Sequence, residues 1–113
     1  MLSRDSAVGE AYASDLLVYH GPFKRQTLEA MRTTLIATDA GSGFGELPTL
    51  WLHGSDDTLV RIESARAGLT KLRGTDFTER VYEGARHELF NETNQAEVVG
   101  EVCNFVDRVA RIA

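Results

Sequence analysis

From Phe23 to about Asp39, apolar side chains recur at helical spacing. Leu28, Met31 and Leu35 fall at i, i+3 and i+7, and Lys24, Arg25, Glu29 and Arg32 fill the other positions. That pattern predicts a helix with one apolar stripe. Ahead of it, Asp5 to Tyr12 is expected to form a short helix capped by Asp5 or Ser6, with Val8, Tyr12 and Ala11 on one side. Gly9 weakens that element. Leu16-Leu17-Val18-Tyr19 is a short apolar run stopped by His20-Gly21-Pro22, and reads as a connector packed on a surface.

The spacing then changes. Ala40-Gly-Ser-Gly-Phe-Gly-Glu46 breaks the helix, and Leu47-Pro-Thr-Leu-Trp-Leu-His53 follows as a proline-led apolar run that predicts a buried strand. The glycines at 41, 43 and 45 are read as a linker, because a phosphate-binding loop follows a strand and opens a helix, and here the order is reversed. Gly54-Ser-Asp-Asp57 turns the chain. Ile62, Ala65, Leu69 and Leu72 mark a second amphipathic helix, closed by Arg73-Gly74. A short strand is expected near Thr78 to Tyr82, with a loop through His87 to Asn94. In the last helix Val98, Val102, Phe105, Val109 and Ile112 share one face, and Asn94 with Glu97 suggests a capping-box start. Cys103 beside this stripe is expected to be a buried small hydrophobe.

The order helix, helix, strand, helix, strand, helix implies an α/β chain with two parallel strands joined by a right-handed crossover. Leu50 and Leu52 are expected on one covered face of the sheet and Thr49, Trp51 and His53 on the other. Two strands do not complete a buried sheet, so an edge or a face should remain poorly covered.

Composition narrows the function classes. Apolar residues make up 42% and charged residues 26% of 113 residues, the balance of one modest soluble domain. A net charge of −5 with no basic run argues against nucleic acid as a partner. No apolar stretch approaches the roughly 20 residues of a transmembrane helix, and no apolar segment of a signal peptide follows Met1. A single cysteine excludes an internal disulfide. The expected location is cytoplasmic.

Open α/β sheets build their sites outside the carboxyl ends of strands. The first strand delivers Asp57 there and the second delivers His87. A carboxylate can hold an imidazole in one tautomer while the imidazole moves a proton to and from a nucleophile. Spacing is equally compatible with Asp56 and Asp57 capping the next helix and His87 lying on a surface loop. His53, Asp56, Asp57 and His87 superficially imitate a metal site, but no short ligand motif is present, and no metal is expected. His20 reads as a solvated turn residue.

Leu47-Pro-Thr-Leu-Trp-Leu-His-Gly-Ser-Asp-Asp57, followed by Val81-Tyr-Glu-Gly-Ala-Arg-His-Glu88, resembles the C-terminal part of the α/β-hydrolase fold. The monoacylglycerol lipase and lysophospholipase group is the nearest resemblance. Leu2-Ser-Arg-Asp-Ser-Ala-Val-Gly-Glu-Ala-Tyr12 is similar to the segment that leaves the lid of those enzymes. The resemblance implies one partial domain, with residues 1–20 as lid exit and connector and 21–113 as the C-terminal core. It assigns Asp57 and His87 as the triad acid and histidine, in the Ser…Asp…His chain order. It implies a serine hydrolase of lipid or other carboxylic esters that works without metal or cofactor. Two departures are Arg61, where a proline is usual after Leu59-Val60, and Leu16, where Asp15 is commonly followed by proline.

No Gly-x-Ser-x-Gly occurs in the 113 residues, and Gly41-Ser42-Gly43 lies in a linker rather than a strand-to-helix elbow. The resemblance implies that the oxyanion donors lie outside these residues too, and such donors are usually the largest catalytic contribution. A complete domain of this kind is expected to need about 200 residues or more. The expectation is therefore a fragment, truncated product or incomplete gene model, inactive alone. The alternative is a non-catalytic hydrolase remnant that acts through protein–protein pairing, with self-association through an exposed strand edge.

Overall fold

The computed structural model describes residues 2–111. Helix α1 spans Ser6–Ser14, helix α2 Arg25–Asp39, strand β1 Thr49–Gly54, helix α3 Ile62–Leu72, strand β2 Phe77–Tyr82 and helix α4 Gln95–Ala110. A 3-10 turn at Leu89–Asn91 precedes α4. Among the described residues, β1 and β2 form one two-stranded parallel sheet, in the register Thr49 opposite Phe77 through Gly54 opposite Tyr82. The crossover is α3, as the alternating pattern implied. Ile112 of the final apolar stripe lies outside the described residues.

The local chemistry explains where the elements start and stop. Asp5 caps α1 by accepting from the amide of Ala7 at 2.9 Å. Pairing of the strands opens with the Thr49 amide donating to the Asp76 carbonyl at 2.9 Å. The Gly41–Gly45 linker returns along the end of α3, where the Phe44 amide meets the Leu72 carbonyl at 2.8 Å and Gly45 takes a positive φ of 60°. Asn94 does not cap α4 by bonding a backbone amide. Its side-chain amide instead donates to Glu97 at 2.8 Å, and its oxygen accepts from Arg4 at 2.7 Å. Arg4, distant in sequence, competes for the group that the capping box would have used.

The core is small and sits at the carboxyl end of the sheet. Tyr82, Ala85, Leu89 and Val98 are buried together, and Leu52 packs against them. Burial therefore concentrates where β2 runs into the histidine loop and the start of α4. The expected two-faced burial of β1 is not found: Thr49 to Leu52 are half-buried, and only His53 and Gly54 are buried. Leu16 and Leu17, expected to pack, are 99% and 94% exposed. The stripe of α2 has the right spacing, yet Leu28, Met31 and Leu35 are all exposed. Cys103 is exposed as well, because it lies off the stripe of α4 on which Val98 is buried and Val102, Phe105 and Val109 are half-buried.

Candidate active site

Two turns at the carboxyl ends of β1 and β2 interlock. The amide of Ser55 donates to the Tyr82 carbonyl at 3.0 Å, and that of Asp56 to the Ala85 carbonyl at 2.9 Å. Ser55 Oγ accepts from the Gly84 amide at 2.8 Å. Gly84 turns the second loop with a positive φ of 70°, a conformation that glycine adopts at no steric cost. At Gly54 the constraint is space: a Cβ there would collide with the carbonyl oxygens of Ala85 and Arg86. Glycine lets one backbone pass directly over the other.

This interlock brings Asp57 and His87 together. His87 Nδ1 lies 2.9 Å from Asp57 Oδ2, inside the separation of about 4 Å expected of such a pair. The other carboxylate oxygen, Oδ1, accepts from the amides of Leu59 at 2.8 Å and Val60 at 3.0 Å. Burial alone would raise the Asp57 pKa, but the Val60 amide, the His87 side chain and the Leu59 amide outweigh it and hold the carboxyl below its usual range. An ionised carboxylate only accepts hydrogen bonds, so the proton of the pair resides on His87 Nδ1. The far nitrogen, Nε2, is then left as an acceptor. The His87 side chain is 40% exposed while that of Asp57 is 4% exposed, so the acid is sheltered and the base open.

The capping alternative for Asp57 is not met, because α3 starts after Arg61 with no side-chain cap, and the carboxylate instead joins its own turn to the imidazole. One oxygen binds the amides at the turn into α3, and the other faces the imidazole. Asp56 stays exposed beside it and accepts from Ser55 Oγ at 3.1 Å. His53 is buried, with Nε2 2.9 Å from the Val60 carbonyl and 3.7 Å from Asp57 Oδ2. A carbonyl cannot donate, so that short contact requires a proton on Nε2. His53 thus braces the Asp57 turn. His20 is exposed and meets the Tyr12 ring edge-on at 5.5 Å. Among the described residues no group of acids, histidines and cysteine is arranged to hold a metal ion.

Three polar residues around the histidine loop carried no signal in the sequence. Glu92 is buried, and its carboxylate accepts from Arg4 Nε at 2.8 Å and from the Arg86 amide at 2.7 Å. Ser3 is buried and donates to the Asn91 carbonyl at 2.8 Å. Arg86 Nη1 donates to the Ser3 carbonyl at 2.8 Å. Only the spacing of Glu92 from His87 was available beforehand, and that spacing has no periodic meaning in a loop.

Comparison with known proteins gives the arrangement a context. A family described as serine aminopeptidase, S33, matches residues 1–94. The monoacylglycerol lipase of Mycolicibacterium smegmatis is 29% identical over 105 residues, which cover 93% of this chain and 38% of that protein. The crystal structure of the Paleococcus ferrophilus monoacylglycerol lipase superposes with a TM-score of 0.65 at 24% identity, over 90% of this chain and 39% of that one. The chain thus spans less than two fifths of the length of both relatives.

Proposed function

The chain belongs to the serine aminopeptidase S33 family and carries part of the α/β-hydrolase fold, and from that premise we propose that it supplies the acid and the histidine of a serine ester hydrolase. The observation that carries this is the Asp57–His87 contact of 2.9 Å, with the acid fixed from behind by two backbone amides. In this reading His87 Nε2 takes the proton of an attacking serine hydroxyl and returns it to the leaving alcohol. Asp57 keeps the imidazole in the tautomer that leaves Nε2 free and stabilises the imidazolium as it forms. The substrate class is a lipid ester of the monoacylglycerol type, on the strength of the two relatives' names. Residues 1–20 act as the lid-exit segment and 21–113 as the C-terminal part of the core.

The nucleophile and oxyanion donors come from polypeptide other than these 113 residues, since no Gly-x-Ser-x-Gly lies within them. Ser55 is no substitute. It precedes Asp57 in the same turn, and its hydroxyl is engaged with the Gly84 amide and Asp56.

Labelling with a fluorophosphonate, which reacts with activated serines, tests the reading. The 113-residue chain alone should remain unlabelled. Fused to the complementary N-terminal portion of the Mycolicibacterium smegmatis lipase, it should label and hydrolyse a monoacylglycerol, and His87→Ala should abolish both. Labelling of the chain alone that disappears on Ser55→Ala would overturn the assignment.

A further inference from the structure

Both main-chain neighbours of His87 are tied down by groups outside its own turn. The amide of Arg86, just before it, donates to Glu92 Oε1 at 2.7 Å. The amide of Glu88, just after it, donates to the Leu2 carbonyl at 2.9 Å. The imidazole therefore hangs from a backbone fixed on either side.

Glu92 is the hub of this arrangement. Oε1 also accepts from the Arg4 amide at 3.1 Å, while Oε2 accepts from Arg4 Nε at 2.8 Å and from the Thr93 amide at 3.1 Å. Its side chain is 0% exposed. A buried carboxylate is costly unless donors surround it, and these donors surround it. Burial alone would raise its pKa, but the Arg4 side chain and the amides of Arg86, Arg4 and Thr93 bring it below the usual range.

The same carboxylate reaches three parts of the chain: the histidine loop, the entry to α4, and the Leu2–Arg4 segment that runs into α1. Arg4 Nη2 continues to Asn94, and Arg86 Nη1 returns to the Ser3 carbonyl. Ser3 Oγ accepts from the Asp5 amide at 3.0 Å, which joins the start of α1 to the same clamp.

We infer that Glu92, with Arg4 as its partner, is a positioning residue for His87: it sets where the imidazole stands relative to Asp57 and links that position to the segment leading into α1. Glutamate suits the role because both oxygens accept. In the Glu92→Gln variant the amide group would replace one acceptor with a donor facing either the Arg86 and Arg4 amides or Arg4 Nε and the Thr93 amide. The inference rests on the Asp57–His87 pair.

The test is nuclear magnetic resonance on the chain itself, reading the His87 tautomer from its imidazole nitrogens and the exchange of backbone amides. The wild type should show one tautomer, protonated at Nδ1. In Glu92→Gln the His87 signals should become a mixture of tautomers. Exchange of the Arg86 and Glu88 amides should rise by about tenfold or more, while Leu52 and Val102 keep their rates. Arg4→Gln, which leaves the carboxylate in place, should act in the same direction more weakly and serves if Glu92→Gln does not fold. Asp57→Asn should mix the tautomers without releasing the Arg86 amide. A single Nδ1 tautomer persisting in both clamp variants would overturn the inference, as would a uniform rise in exchange across β1 and α4. A wild-type imidazole that is already mixed would instead sink the Asp57–His87 pair, and the positioning role with it.

Discussion

Ser55 Oγ accepts the amide proton of Gly84 at 2.8 Å, so the turn that carries the acid and the turn that carries the histidine are joined by a side chain. The serine nearest the site in sequence thus has a structural task. Two further backbone bonds, from Ser55 to Tyr82 and from Asp56 to Ala85, run alongside it. Together they set the height of Asp57 against His87.

Removal of that hydroxyl leaves the Gly84 amide without its acceptor. Ser55→Ala should destabilise the chain by about 1–2 kcal/mol, the usual cost of orphaning a partly buried donor. Urea denaturation measures this. Labelling of the restored enzyme should persist, reduced at most by the loss of folded protein.

Gly54 is the tightest point between the two turns. A methyl group there meets the carbonyl oxygens of Ala85 and Arg86, so Gly54→Ala must push the loops apart. The expected cost is about 1–3 kcal/mol, in the range of overpacked sites. Loss of the His87 Nδ1 proton signal should accompany it. A variant with wild-type stability and an unchanged imidazole spectrum would contradict this account.

In the restored enzyme, Asp57→Asn should lower kcat by roughly 10³–10⁴, because the amide no longer enforces the productive tautomer. KM should change little, since Asp57 is buried behind the imidazole. A loss confined to KM would point to a substrate-binding role instead.

Acid should weaken the site before it unfolds the helices. Asp57 and Glu92 both have folded-state pKa values below their usual ones. Their stabilising contribution is therefore complete above the unfolded carboxylate range, about 4, and is lost as pH falls through the lower folded values. Stability to urea should hold from neutral pH down to about pH 5 and fall below that, as pH drops through the lower folded values. Glu92→Gln should be less stable at neutral pH and show a shallower decline. An identical decline in wild type and Glu92→Gln would remove Glu92 from this explanation.

Self-association of the isolated chain is the outcome expected from the apolar stripe of α2 and the open sheet edge. Leu28, Met31 and Leu35 are exposed together on that helix. Light scattering after size exclusion should show a mass that rises with concentration, and Leu35→Lys should reduce it. A concentration-independent monomer would dismiss this expectation.

Much of the fold was legible along the chain. The 3.6-residue spacing of Ile62, Ala65, Leu69 and Leu72 specified α3, an apolar run ending in a glycine turn specified β1, and the short segment before the Gly84 turn marked β2. Asp57 and His87 stood out because both follow strands, and the ends of adjacent parallel strands meet at one edge of the sheet. Those are local signals, carried by residues near one another in sequence.

What the tertiary structure decided was coverage and long-range polar pairing. Periodicity marks which face of a helix is apolar, but whether that face is buried depends on a second layer. Hence the stripe of α2 is exposed despite its pattern. The capping role expected of Asn94 was displaced by Arg4, and Glu92 became the brace of the histidine loop through donors that include Arg4. A hydrogen bond between residues 88 positions apart leaves no trace in spacing. It exists only once the chain has folded, when the buried carboxylate must find donors to offset its lost hydration.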